Sequence, residues 1–204
     1  MRALSLLIVV CALGAFLAFR DRPVAQPPGI LVADVPRQEA LRDGDRPFRH
    51  NDEFTLTPLA RFALEARVLG REDYHLDTEA ALAPVDLALG WQRMSDSAVL
   101  DRIDINQRNR FYYWRVEAFP IPRREIETQS ANMHLIPGSP TVARRLDAVR
   151  QGEVVRLRGF LVEVTRDDGW RWRSSLTRED TGAGACELIF VEWLEVLPTP
   201  SGAV

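Results

Sequence analysis

The stretches Glu153–Val164 (EVVRLRGFLVEV) and Cys186–Val196 (CELIFVEWLEV) decide the fold class. In the first, Val155 and Leu157 are apolar on one parity, and past Gly159 the apolar positions move to Phe160, Val162 and Val164. A parity change at a glycine marks a bulge or a barrel corner. Asp167-Asp168-Gly169 is a turn signal. Trp170, Trp172 and Leu176 then face one way, and Arg171 and Arg173 the other. After a Gly-rich connection at 177–185 (TREDTGAGA), the second stretch is apolar on both faces, as a strand with neighbours on both sides is. A helix is predicted over Pro140–Val149, with Val142, Leu146 and Val149 on one stripe. Long curved strands with a glycine kink, preceded by a helix, place the chain in the α+β, β-rich class. The expected domain has a curved antiparallel sheet or an OB-like barrel and a few short helices.

Upstream, ARFALEARVLG (60–70) alternates Phe62, Leu64, Ala66 and Val68 against Arg61, Glu65 and Arg67, as a half-buried strand does. Asp77 or Thr78 caps a helical stretch in which Pro84 opens a turn leading to Gly90. Ser95 or Asp96 caps a short helix through Ile103. Residues 110–116 (RFYYWRV) and 130–136 (SANMHLI) read as strands.

The chain has 204 residues, 46% hydrophobic and 27% charged, with a net charge of −3. That is too apolar for a wholly disordered chain and too acidic for a globally basic nucleic-acid binder. All 26 basic residues are arginine, which excludes Schiff-base, Walker and general-base lysines. Two cysteines exclude a disulfide-stapled miniprotein. Three histidines without HxH, HExxH or CxxC spacing give no metal site, and no cofactor is expected.

At the N-terminus, residues 3–19 (ALSLLIVVCALGAFLAF) carry no charge and end in Arg20-Asp21-Arg22. As a helix this run is about 25 Å long, at the short end of what crosses a bilayer core. Small residues at the spacing of a cleavage site are missing, so residues 1–22 read as a retained transmembrane anchor or uncleaved signal. A short N-terminus ahead of a long C-terminal domain favours a single-pass protein of the bacterial inner membrane, its domain in the periplasm. Membrane lipid is then the partner of residues 3–19, and other envelope proteins are the expected partners of the domain. Residues 23–53 contain five prolines and read as an extended linker holding the domain off the membrane. The globular domain is expected over 54–197 and a disordered tail over 198–204.

Three blocks carry a resemblance: residues 83–114 (APVDLALGWQRMSDSAVLDRIDINQRNRFYYW), 130–137 (SANMHLIP) and 170–192 (WRWRSSLTREDTGAGACELIFVE). Over about residues 54–196 the chain resembles an uncharacterised bacterial family with a single N-terminal transmembrane segment. The resemblance implies the anchor-plus-domain architecture and brings no activity and no catalytic residues.

The polar set with the most specific pattern is Ser130, Asn132 and His134, which a strand places on one face about 7 Å apart. Such a face can bind a ligand or move a proton, and the bland reading is a solvated strand face. Cys186, in an apolar strand, reads as a small buried hydrophobe. Arg110 and Trp114 lie in a segment that interleaves arginine with aromatics, as single-strand binders do. Residues 101–150 hold nine arginines against six acids, but residues 151–204 hold six against nine, which disfavours nucleic acid. With no nucleophile–base–orienter set in view, the reading favours a non-enzymatic accessory or binding module. The rivals are an envelope hydrolase using the Ser130/Asn132/His134 face and an OB-like binder of single strands.

Overall fold

The structure is a computed structural model, and it describes residues 22–76, 78–177 and 186–198. The expected anchor over 1–22 apart from Arg22, the candidate cap Asp77, the Gly-rich connection at 177–185 apart from Thr177, and the tail over 198–204 apart from Pro198 lie outside the described residues. Among the described residues, no helix is long and apolar enough to cross a membrane.

The chain runs through β1 (Arg37–Glu39), β2 (Phe48–His50), β3 (Phe54–Asp73), α1 (Thr78–Leu82) and β4 (Val85–Gly90). A 3-10 turn (Gln92–Ser95) and α2 (Ser97–Leu100) lead to the hairpin β5 (Asp104–Arg108) and β6 (Phe111–Arg115). Then come α3 (Arg123–Thr128), β7 (Ser130–Pro137), α4 (Pro140–Ala148), β8 (Val154–Arg166), β9 (Arg171–Arg173) and β10 (Glu187–Leu197). The protein is therefore β-rich and α+β, with a mixed sheet and a few short helices.

Five strands close into a ring. β3 pairs with β4, β4 with β7, β7 with β10, β10 with β8, and β8 returns to β3. The sheet is not purely antiparallel, because β7 and β10 run parallel. Helix α4 bridges β7 to β8, and β10 lies between these two strands in the sheet. The alternation read over 60–70 becomes the middle of the 20-residue β3, and Phe62, Leu64, Ala66 and Val68 face the ring interior.

Closure requires bends, and the glycine signal places one. A Cβ on Gly159 would lie 1.8 Å from the Phe190 carbonyl oxygen, and the β10 register slips opposite it, between Val191 and Trp193. A second slip in β3 falls between Pro58 and Ala60. Past these bends, Phe54, Leu56, Val162 and Val164 leave the ring interior and form a second core with Ile136, Phe160 and Leu188. A third core packs the β5–β6 hairpin and α3 against Leu69 and Ala88.

Two sequence readings are corrected. The helical turn expected from Pro84 to Gly90 is strand β4. All six of its residues are buried, so a strand covered on both faces shows no alternation to distinguish it from a helix. The expected linker over 23–53 is docked along the domain for much of its length. Its prolines prevent regular structure without preventing their neighbours from hydrogen bonding. Val24 N–H donates to Gln151 O at 2.8 Å, Leu31 and Val32 N–H to Ser95 Oγ at 3.1 Å each, and Val32 enters the ring core. Strands β1 and β2 of the same segment pair with β3.

The short helices follow their caps. Asp96 accepts from Ala98 N–H at the start of α2, and Ser139 from Val142 N–H at the start of α4.

Candidate functional site

The site grows from the register of β4 on β7. Val85, Leu87 and Leu89 point inward with Leu135 and Met133. The alternate positions pair Asp86 with His134, Ala88 with Asn132 and Gly90 with Ser130 on the outward face. The three polar residues of β7 thus share one face, as their spacing requires. That face is not solvated. Ser130, Asn132 and His134 are 7%, 4% and 3% exposed.

The cover is the β5–β6 hairpin. Gln107 Nε2 donates to Asn132 Oδ1 at 2.7 Å, and the Tyr112 hydroxyl meets Ser130 Oγ at 3.1 Å. Gly70 makes this approach possible, since a Cβ there would lie 2.5 Å from Gln107 Oε1. The hairpin turns on Asn109 and Arg110, both left-handed, at φ 53° and 68°. Glycine is the usual second residue of such a turn, and an arginine there is strained. Its side chain gives the reason. Arg110 Nη1 donates to Ala83 O at 2.7 Å and to Asp86 Oδ1 at 3.0 Å, and its guanidinium lies 3.7 Å from the centre of the Tyr74 ring.

Asp86 is the centre of the cluster and is fully buried. Its Oδ1 faces Arg110 and also lies 2.9 Å from His134 Nδ1, while Asn132 Nδ2 donates to Oδ2 at 3.3 Å. The imidazole approach is out of line for a ring N–H hydrogen bond, so the contact is a close electrostatic one. Trp172 closes the other side of the imidazole, with ring centres 4.8 Å apart. Asn132 Nδ2 also donates to Arg110 O at 3.1 Å, and Cys186 Sγ lies 3.9 Å from that oxygen. The Tyr74 hydroxyl accepts from Arg110 N–H at 2.9 Å. Burial, and then the Asp86 carboxylate, push the Tyr74 phenol up to about 12. Burial likewise pushes Tyr112 to about 12, against the opposing hydrogen bond from Ser130.

Of the residues singled out from sequence, Asn132, His134 and Arg110 converge on Asp86. Ser130 does not. It stands four residues from His134, about 13 Å along a strand, and its hydroxyl donates to Ile126 O at 2.7 Å. Trp114 lies in the third core, half-buried, beneath the Arg123 guanidinium and beside Phe119. Sequence reasoning missed Asp86, Tyr74 and Gln107. The available signal was one acid in the otherwise apolar run VDLALG, obscured by the helical reading of that run.

Chemically the cluster joins one carboxylate, one permanent cation and one imidazole in a closed space. Tyr74 and Trp172, half-buried, form its rim. A nucleophile within reach of His134 is not supplied by Ser130. Among the described residues, no group of three or more His, Cys, Asp or Glu side chains can hold a metal ion. A scan of family models, a search of curated proteins and a search of solved structures gave no match to this chain, so the reading of the site rests on its geometry.

Proposed function

We propose that the chain is a single-pass inner-membrane protein whose periplasmic domain is a non-enzymatic accessory or binding module built on an OB-type barrel. The closure of the Asp86 cluster carries the non-enzymatic part. A general base must reach the proton it takes. His134 is 3% exposed, roofed by Trp172 and set against Asp86. The apolar run at 3–19 supports the tether. The five-strand ring and the helix ahead of its fourth strand support the OB type.

OB-type barrels bind on the face of their second and third strands and on the loops joining strands one to two and four to five. Here that face belongs to β4 and β7, and the hairpin occupies it. Beside it, the half-buried Tyr74 and Trp172 rings flank the Arg110 guanidinium. A ligand of the module belongs there. The residues named for single-strand binding are engaged: Arg110 holds Asp86, and Trp114 packs in the hairpin core.

Fractionation of the full chain in a bacterial host tests the tether. The protein is expected in the carbonate-resistant membrane fraction, cleaved by added protease once the outer membrane is opened. A mature protein beginning beyond Phe19, or one in the soluble fraction, overturns it. The hydrolase reading predicts that His134→Gln abolishes the function of the chain in its host, whereas the module reading predicts that a stably folded His134→Gln retains it.

A further inference from the structure

We propose that the cleft between β1, β3 and β8 is a binding site for a phosphate group, as the free ion or on a small phosphomonoester, held between Arg37 and Arg158. The site is separate from the Asp86 cluster, which lies on β4 and β7.

The cleft follows from strand register. Ala63 of β3 stands between Arg37 of β1 and Arg158 of β8, and Trp193 of β10 completes the row. Cross-strand partners share a face of the sheet. Ala63 has the parity opposite to Phe62 and Leu64, so the row points out of the ring. Neighbouring strands lie about 4.8 Å apart, which puts the two arginine backbones about 10 Å from each other. The Ala63 methyl is all that rises between them. A cleft of about 250 Å³ opens there, floored by Ala63 and Gly159.

Strand β1 is held in place as one wall. Ahead of it, Val24 N–H donates to Gln151 O and Gln26 Nε2 to Gly152 O at 3.0 Å. Behind it, Arg61 Nε donates to Asp45 Oδ2 at 2.8 Å and Arg61 Nη2 to Oδ1. Asp45 Oδ2 also takes the Arg42 N–H at 2.8 Å.

Charge sets Arg37 and Arg158 apart from the other arginines of this face. Arg156 bridges Glu65 at 2.7 Å and Glu195 at 3.1 Å, and Arg61 is occupied by Asp45. Arg37 and Arg158 have no carboxylate at ion-pair distance among the described residues. Arg158 lies 5.4 Å from the centre of the Trp193 ring, a contact that orients its guanidinium without neutralising it. Arg42 can add a third cation, because its contact with Glu39 is a single one at 3.3 Å between exposed groups, and such pairs hold weakly. The opposing acid is Glu192. It is the extra residue where β10 slips against β8, and the bulge turns it to the edge of the cleft.

Two guanidinium forks on opposite sides of a small space suit a tetrahedral oxyanion. Phosphate offers oxygens to both forks at once, whereas a carboxylate presents one edge and serves one fork.

The test titrates the full chain, in detergent micelles at low ionic strength and slightly alkaline pH, with inorganic phosphate, glycerol 3-phosphate and acetate by isothermal calorimetry. Saturable binding of phosphate is expected, with acetate weaker by about tenfold or more. Arg37→Gln and Arg158→Gln should each weaken phosphate by about tenfold. Ala63→Leu should do the same by filling the space between two intact guanidiniums. Glu192→Gln should tighten phosphate by about twofold or more. Arg156→Gln removes an equal charge outside the cleft and should stay within about twofold of the parent. Circular dichroism matching the parent confirms the fold of each variant. Glycerol 3-phosphate binding more tightly than phosphate assigns an organic phosphomonoester, and the reverse order assigns the free ion. The site is overturned by folded parent that shows no saturable phosphate binding, by acetate as tight as phosphate, or by a loss in Arg156→Gln equal to that in Arg37→Gln.

Discussion

His134 Nδ1 and Asp86 Oδ1 lie 2.9 Å apart across the β4–β7 ladder, and the same oxygen takes a hydrogen bond from Arg110. The contact ties a hairpin to a barrel face through one buried carboxylate. Desolvating an ion pair offsets much of its attraction, but deleting one member leaves the other charge buried and alone. Asp86→Ala and Arg110→Ala should each lower stability by about 3–5 kcal/mol. The double variant should lose clearly less than the sum, since the two groups share one interaction. Arg110→Gly separates strain from pairing: it relaxes the left-handed turn and still deletes the guanidinium. If urea unfolding finds Arg110→Gly as stable as the parent, the pair does not hold the hairpin.

Much of this arrangement was legible before any coordinates. The alternation over 60–70 gives the inward face of β3, and the parity change at Gly159 gives the bend opposite Phe190. Residues 130–136 show their polar face directly, because β7 still alternates. β4 hides its own, because the hairpin buries the side that solvent would otherwise mark, and Asp86 is lost with it. Nor can spacing within one strand say which neighbour covers it. Whether Asn132 and His134 meet water or a hairpin is decided by Gln107 and Arg110, more than 20 residues away in sequence. The strap at 24–36 was missed for a related reason. Proline-rich composition reports the absence of helices and ladders, and says nothing of a serine hydroxyl waiting 60 residues on.

Gly159 offers a test of ring closure. Its neighbour across the ladder is backbone, which cannot swing aside as a flexible side chain can. Gly159→Ala must push β8 and β10 apart at the point where the register already slips. Overpacking at such a position costs about 1–3 kcal/mol, and more where backbone must move. Gly169→Ala is a useful comparison, since nothing lies within 4 Å of its Cβ position and only its φ of +89° resists the change. Thermal unfolding should rank Gly159→Ala as the more damaging, and the reverse order would argue against closure at this bend.

Two of the three tyrosines provide a pH readout. Tyr74 and Tyr112 are pushed up to about 12 in the folded protein, chiefly by burial. In the unfolded chain they ionise near 10, so between about 10 and 12 the folded state binds more protons. Their contribution is intact below about pH 10, and stability must fall as pH rises from there toward 12. Tyr112→Phe should flatten part of this fall, at the price of the contact to Ser130 Oγ. Phenolate absorbance followed alongside far-ultraviolet dichroism checks the point: both tyrosines should ionise late and together with unfolding. Ionisation of two or more tyrosines near pH 10 in folded protein would contradict their burial.

Ser95 is fully buried, and its hydroxyl performs three tasks at once. It accepts from Leu31 and Val32 N–H and donates to Gln92 O at 2.6 Å. Ser95→Ala leaves two strap N–H groups without their acceptor, at about 1–3 kcal/mol for a buried donor. Most of that loss should fall on the strap, because the barrel ladder does not pass through Ser95. Global unfolding is therefore expected to shift modestly while residues 24–36 become sensitive to brief proteolysis. Hydrogen exchange at Val32 should accelerate in the same variant, since Gln92 N–H to Val32 O at 2.7 Å is the remaining link on that side. A Ser95→Ala protein whose strap stays as protected as the parent's would show that the contacts at Gln151 and Gly152 suffice to dock it.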